Sequence, residues 1–555
     1  MDSQIERNQL QLPQRTLEAL SFSEIDTTSI EKWLTSLSKT DLKKSARQLL
    51  PALTEMTQIK LAPSHHLSLT ELFRPAVYST VQQLSKKTLG GIISFNEQQQ
   101  TTYTLCQKLL GELLCSYKVV VQTCIDSKEH DSPLPAALHR AMAESASIHL
   151  FCCENYRPTP NRLWLEMHSL YLIAQERELL DYQLEDSETS RARKLSLADQ
   201  YKRSLLLSRC RANQLHPKEI RQVNTALSLW APHSKLLDTD RNCYLATNLD
   251  ADQGLNYSTA APDSSSAKLR GVDVRLLKAH LKKLSESTTG DKPGALTKTV
   301  IEHLSSAWSP PATRKHQRQH KSAECLICTG MSAAHFYLSN LNPFDDLVAN
   351  HTDTGQAGKS DFSSDDAWSS AHDSRRNDGE GYNPNASNAI QYSTEEEGKL
   401  LYPNYNCRVL NTSASGYCLN IKAPFPDQLK IGEIMAICED SAHHWMLAVI
   451  RWLHVRDKST VTIGVELLSA KTKPSAVTVV KKTEDNVHYQ RCFILPVVPG
   501  INATETIITP MLQFRNGIKI MLLSEGNINK GQLLKCVAST ESFSQFEFRI
   551  LDEPP

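Results

Sequence analysis

The chain has 555 residues, 14 cysteines and equal numbers of basic and acidic side chains, 61 of each. That length holds three or four domains with material for real cores. Zero net charge argues against a generic nucleic-acid binder or a membrane-surface protein, because either needs a basic excess.

The N-terminal Met1-Asp-Ser-Gln-Ile-Glu-Arg lacks a basic leader followed by an apolar core, and no apolar run is long enough to span a bilayer, so a cytoplasmic protein is expected. The cysteines are scattered and several fall inside apolar stripes, as Cys106, Cys115, Cys152 and Cys153 do. This suits small core residues in a reducing compartment better than a disulfide framework.

Residues 1 to 230 read as helix after helix. Thr28-Ser-Ile-Glu31 has the pattern of a capping box ahead of Ile30, Trp33, Leu34 and Leu37. Leu105, Leu109, Leu110, Leu113, Leu114 and Tyr117 recur at helical spacing, as do Leu163, Trp164, Met167, Leu170, Tyr171 and Ala174. These stripes predict antiparallel helix packing, without the convergent polar groups of a cofactor site. Leu184 to Arg193 is charged and Ser-rich and reads as an exposed connection to a helix over Leu197 to Leu207.

Residues 231 to 304 read as a mixed connecting segment. Ser258 to Ser266 is small and polar, hence a loop; helical signal returns at Val272 to Leu284 and at Leu296 to Trp308, and Pro310-Pro311 stops the last helix.

Arg314-Lys-His-Gln-Arg318 follows directly. It places two guanidiniums four residues apart, each a permanently charged fork that grips phosphate or the O6/N7 edge of guanine. Short apolar runs at Ala323 to Ile327 and Ala333 to Leu338 read as strands. Pro343 to Glu397 is then rich in Ser, Asp, Asn and Gly, carries a net charge of −9 over 55 residues, and is expected to be disordered because it has too little apolar surface to offset its ordering entropy.

Asn411-Thr-Ser413-Ala-Ser-Gly416 is a polar turn. Asn411 offers an amide to a purine edge, Ser413 a hydroxyl to phosphate, and Gly416 a position where φ is free. Strand-like runs follow at Tyr417 to Ile421, Ile431 to Ile437, Trp445 to Leu453 and Val461 to Leu468, the spacing of a small antiparallel barrel.

The order Arg-x-x-x-Arg, Asn-x-Ser-x-x-Gly, Val449-Ile-Arg-Trp452 and Ile463-Gly-Val-Glu-Leu-Leu468 resembles the PilZ family of bacterial cyclic di-GMP receptors. The resemblance implies a six-stranded barrel and carries ligand contact to Arg314, Arg318, Asn411, Ser413 and Gly416. It departs from the family in one respect: 92 residues separate the two half-motifs, and removing Pro343 to Glu397 leaves 37, as expected for an ordinary barrel with a long insertion in one loop. More loosely, the whole chain resembles large PilZ proteins tied to type IV pili.

Beyond Val480 a last all-β segment is expected. Phe546, Phe548 and Ile550 alternate with polar residues, and Asn516-Gly517 reads as the turn of a hairpin joining Leu512 to Arg515 with Ile518 to Leu523. The expected chain is therefore an α+β multidomain protein: a helical domain over 1–230, a connecting segment over 231–304, a PilZ-like barrel over 305–480 with the acidic insertion at 343–397, and a small β module over 481–555.

Two other chemistries compete with nucleotide binding. His316, His320, Cys325 and Cys328 have zinc-like spacing, but a strand through Ala323 to Cys328 sends the two cysteines to opposite faces, and there is no second Cys-x-x-Cys. His443-His444 has no acidic partner or nucleophile in sequence, and no P-loop, Gly-x-Ser-x-Gly or Gly-x-Gly-x-x-Gly motif occurs. The expectation is a receptor for cyclic di-GMP, with no cofactor, metal or catalysis, acting on an unidentified protein partner such as pilus or motility machinery. The alternatives are a PilZ-like adaptor that binds no nucleotide and, more weakly, a zinc-dependent nucleic-acid module.

Overall fold

The computed structural model describes residues 10–89, 95–127, 133–186, 188, 194–238, 243–258, 268–287, 296–311, 319–349, 401–439, 444–480, 488–497, 504–511 and 513–551. The chain divides into two compact units, one of residues Met1–Gln317 with Trp452–Ile463, the other of Arg318–Arg451 with Gly464–Pro555.

The first unit is helical at its start: α1 (Thr27–Ser36), α2 (Leu42–Gln58), α3 (Pro63–Leu84), α4 (Glu97–Asp126), α5 (Leu134–Glu154), α6 (Leu163–Glu176), α7 (Leu197–Ser208) and α8 (Pro217–Trp230). Asp26, not Thr28, caps α1, its carboxylate accepting from the Ser29 N–H at 2.9 Å. The shorter acid reaches the free amide directly, so the expected capping box is not used. The stripe of α4 is core, with Leu109, Leu113 and Tyr117 fully covered, and so is that of α6. Cys106 and Cys152 are buried among them as free thiols.

The stretch expected as an exposed connection holds a short hairpin, β1 (Gln183–Glu185) with β2 (Lys194–Ser196). Asp186, the residue after β1, is buried. It accepts two hydrogen bonds at 2.9 Å from Arg74 of α3, whose Nε also bonds Glu144 of α5 at 2.7 Å; Tyr78 donates to the same Glu144 at 3.0 Å. An aspartate in a charged run looks solvated until a buried arginine claims it.

A four-stranded sheet follows, ordered β3 (Lys235–Leu237), β6 (Leu269–Asp273), β4 (Leu245–Asn248), β5 (Asn256–Tyr257). Val272 therefore lies in a strand, and the helix expected from it begins later, as α9 (Arg275–Ser287). The Ser258–Ser266 loop lies almost wholly outside the described residues. Then comes α10 (Lys298–Ala307), whose end is held by Trp308: its indole donates to the Leu206 carbonyl at 3.1 Å and its own carbonyl accepts from Tyr244 at 2.7 Å.

The second unit holds two closed barrels. The first is ordered β10 (Ile434–Glu439), β11 (Trp445–Val455), β12 (Thr460–Ser469), β9 (Gly416–Lys422), β8 (Tyr405–Ser413), β7 (Gln319–Thr329). The second is ordered β13 (Lys473–Val479), β14 (Gln490–Leu495), β15 (Thr506–Pro510), β18 (Phe543–Ile550), β17 (Asn527–Ser539), β16 (Lys519–Ser524).

Three expectations fail here. Ala333 to Leu338 is not a strand but part of α11 (Met331–Leu338), entered through Gly330 at φ +91°. This helix is mostly apolar because both barrels cover most of it: Met331, Ala334, Phe336 and Tyr337 join Cys328, Ala436, Leu447 and Val449 of the first barrel and Phe493, Ile508 and Phe543 of the second in one buried cluster, and its His335 is buried with Nε2 donating to the Ser475 carbonyl at 3.2 Å. Without a polar face, its run carries no helical period to read.

Asn516-Gly517 does not join two paired strands either. The strand before it, β15, pairs with β14 and β18, while β16 pairs with β13 and β17. The Asn516 side chain instead accepts from the Cys536 N–H at 2.9 Å, where β17 loses register with β18.

The acidic insertion begins with a helix, α12 (Phe344–Ala349), although disorder was expected from Pro343 onward. Arg491 of β14 lies over the Phe344 ring at 4.6 Å, and its Nη2 donates to the Tyr402 hydroxyl at 3.5 Å. Tyr402 also packs on Phe336 of α11, ring centroids 5.4 Å apart. Residues 350–400 lie outside the described residues.

Removing Arg74 takes from the buried Glu144 its paired cation and leaves Asp186 with the more distant Arg140, at 3.8 Å. Arg74→Leu should destabilise the helical unit by about 3–5 kcal/mol, whereas Lys298→Ala, which breaks an exposed pair with Glu302, should cost under ~1 kcal/mol. Urea denaturation followed by circular dichroism measures both; similar midpoints would mean the buried network contributes nothing special.

Candidate functional site

Asn411, Ser413 and Gly416 lie together on the β8–β9 hairpin, with Ser413 opposite Gly416 across a two-residue turn. Their orientation depends on a register shift. Cys407 and Val409 of β8 oppose Ile421 and Leu419 of β9, all buried inside the barrel. An uninterrupted strand would send residues 411 and 413 inward as well. Leu410 is an extra residue with no partner on β9, so Asn411 opposes Cys418 and Ser413 opposes Gly416, on the same outward side as Arg408 and Asn420.

The neighbouring strand follows in step. Ala323 opposes Val409, but two residues later the register slips and His320 opposes Asn411. Ser322, in the slipped stretch, accepts from the Arg408 guanidinium at 2.9 Å. Lys321 reaches Glu439 at 2.6 Å. Burial would raise Glu439, yet hydrogen bonds from Lys321 and Tyr417, with the Lys321 charge, hold it below the ordinary carboxylate range. Tyr417 is raised, first by burial and then by that carboxylate.

Gly416 is required for a reason other than the one its sequence context suggests. It is buried, and its φ is not among the positive values; a Cβ there would stand 2.0 Å from the Val465 carbonyl oxygen and 3.1 Å from its carbon. The close approach of β12 excludes any side chain. The turn is further fixed by the Leu467 N–H, which donates to the Ser415 carbonyl at 3.0 Å. On the same strand, Glu466 accepts from Arg451 at 2.5 Å. Ser413 keeps only long contacts, 3.4 Å to the Ser415 hydroxyl and 3.4 Å to the Gly416 carbonyl, which leaves its hydroxyl available to a ligand.

Arg314 and Arg318 lie outside the described residues, which resume at Gln319, opposite Thr412. Of the zinc-like set, His316 also lies outside them. Cys325 faces Cys407 within the barrel, Cys328 belongs to the outer apolar cluster, and burial pushes each thiol up to about 12. Among the described residues no group of three or more His, Cys, Asp and Glu could hold a metal. His443 is outside the described residues, and His444 donates from Nε2 to the Ala470 carbonyl at 2.8 Å. His320, exposed beside Asn411, is the neighbour that sequence reasoning assigned only to the zinc set; nothing short of the β7–β8 register would have revealed its place.

A six-stranded antiparallel barrel bearing an Asn-x-Ser-x-x-Gly hairpin and led into by an Arg-x-x-x-Arg segment defines a PilZ-domain protein. The chain belongs to the FimW family of such proteins, three of whose domain models lie end to end along it. These are "Cyclic-di-GMP receptor FimW, N-terminal domain" over residues 28–240, "Cyclic-di-GMP receptor FimW, middle PilZ domain" over 244–474, and "FimW C-terminal beta-barrel domain" over 475–551. The cyclic-di-GMP receptor FimW of Pseudomonas aeruginosa is 28% identical to it over 578 aligned residues, covering 99% of this chain and 94% of that protein. No solved structure matches the chain. Among the described residues no helix is long and apolar enough to cross a membrane.

Gly416→Ala should cost the barrel about 1–3 kcal/mol or fail to fold, because the obstacle is backbone. Ser413→Ala should leave the melting temperature unchanged. Gly517→Ala, at φ +85° with nothing within 4 Å, isolates the conformational penalty alone, about 1 kcal/mol. Melting curves of the three variants rank them, and a Gly416→Ala protein as stable as Ser413→Ala would refute the close-approach account.

Proposed function

We propose that the chain is a cytoplasmic receptor for cyclic di-GMP, binding it on the outer face of the first barrel. Arg314 and Arg318 supply bidentate contacts to phosphate or to the guanine O6/N7 edge. Asn411 meets a purine edge, Ser413 donates to phosphate, and Gly416 holds the turn at the height that lets both reach the ligand. The observation that carries this reading is the register shift at Leu410, which turns Asn411 and Ser413 outward together instead of into the barrel. The relative named as a cyclic-di-GMP receptor supports the choice of ligand.

A receptor of this kind needs an output, and no catalytic constellation is assigned to it. The helical region, residues 1–230, has the size and the amphipathic helices to dock a protein partner. Control of type IV pili, motility or surface attachment is the process we assign to that partner.

Calorimetric titration of the full chain with cyclic di-GMP, cyclic di-AMP and GTP tests the reading. Cyclic di-GMP should bind selectively at micromolar or tighter affinity. Arg314→Ala and Arg318→Ala should each cost about 1–3 kcal/mol, and Ser413→Ala should weaken binding without unfolding. Unchanged affinity in the double arginine variant would sink the assignment and favour an adaptor acting by protein contacts alone.

A further inference from the structure

His320 sits where the register slip of β7 leaves it, directly across from Asn411 and exposed to solvent. Had the register of Ala323 with Val409 continued, Lys321 would oppose Asn411 instead. The slip diverts Lys321 to Glu439 and brings an imidazole alongside the polar hairpin. Cα partners in an antiparallel pair lie roughly 4.5–5.5 Å apart, and residues two apart on a strand roughly 7 Å, so one dinucleotide can touch His320, Asn411 and Ser413 together.

We propose that His320 is a further ligand-contacting residue of this face, a protonatable donor that makes cyclic di-GMP binding tighter as pH falls. The inference rests on the cyclic di-GMP reading above and adds a residue and a pH dependence to it. A neutral imidazole offers one N–H; the protonated ring offers two and a positive charge, matched to a phosphodiester oxygen or to the acceptor edge of guanine.

Few charged groups of the paired strands stand near it. On β7 they are Lys321, bound to Glu439 of β10, and Glu324, which opposes Arg408 of β8; Arg408 is hydrogen-bonded to Ser322. On β8 its direct neighbours Asn411 and Thr412 carry no charge. The pairing of β10 with β7 runs only from Cys325 to Thr329, so among the described residues no carboxylate stands opposite the ring to neutralise it. Lysines, arginines and ionised carboxylates keep their charges between pH 5.5 and 8, as do phosphodiesters, whereas imidazoles take up a proton there.

The test is titration of the full chain with cyclic di-GMP at pH 8.0 and pH 5.5, for the wild type, His320→Gln and His320→Lys, with melting curves to show that each variant is folded. The wild type should bind about five- to tenfold more tightly at the lower pH, the gain from one charge-assisted hydrogen bond. His320→Gln, which cannot take up a proton, should show no gain between pH 8.0 and pH 5.5, and His320→Lys should bind tightly at both. If His320→Gln keeps the full pH gain, the inference is overturned while the receptor reading stands. If the wild type fails to bind at either pH, the receptor reading falls, and this inference with it.

Discussion

Leu410 is the residue on which the candidate site depends. A β-strand offers alternate side chains to alternate faces, and a sequence of polar residues at positions 411 and 413 in phase with Cys407 and Val409 would bury both in the barrel. One unpaired residue reverses the phase, and the slip in β7 beside it preserves pairing across the change. The interior remains apolar while the outer face gains an amide, a hydroxyl and an imidazole. Gly416 then supplies the second condition, letting the Val465 carbonyl pass where any Cβ would collide. Orientation of the motif and height of the turn are thus separate constraints met by neighbouring residues.

Much of the barrel was legible because its strands are short apolar runs separated by turn residues. Trp445 to Leu453 and Val461 to Leu468 fall within β11 and β12, and Tyr417 to Ile421 within β9. What could not be read was whatever depends on a partner distant in sequence. α11 has no polar face since both barrels cover it; β3 to β6 are two to five residues long and show no alternation to count. Asp186 looks like a solvated charge until Arg74 is placed beside it. At the site, residue types were legible but their direction was not: a bulge is a property of two strands, and His320 could be recognised as a neighbour of Asn411 only through the register. Gly416 was identified for the wrong physical reason, conformational freedom in place of close approach.

The two barrels of the second unit also share their core. The cluster around α11 takes Cys328, Ala436 and Leu447 from one and Phe493, Ile508 and Phe543 from the other. A polar seam accompanies it: Glu433, buried, accepts from Ser542 at 2.8 Å and from Lys430 at 3.1 Å, while Thr540 donates to the Gly432 carbonyl at 2.9 Å. Burial of this kind resembles a domain interior more than a transient contact, so the pair behaves as one folding unit with two closed sheets.

The arrangement at Arg491 bears on how this gene product can vary in length. Phe344 and Tyr402 meet the same guanidinium, so the chain leaves the barrel and returns to it at one place. Closing a loop whose ends are already adjacent costs free energy that grows only with the logarithm of its length. Each doubling of the intervening stretch would add about 0.6 kcal/mol, less than a single lost side-chain contact. Tyr402 also precedes β8, whose Tyr405 end is roughly 26 Å of strand away from Ser413. A change of chain length between these two contacts would therefore fall away from the hairpin and leave the β8–β9 pairing as it is.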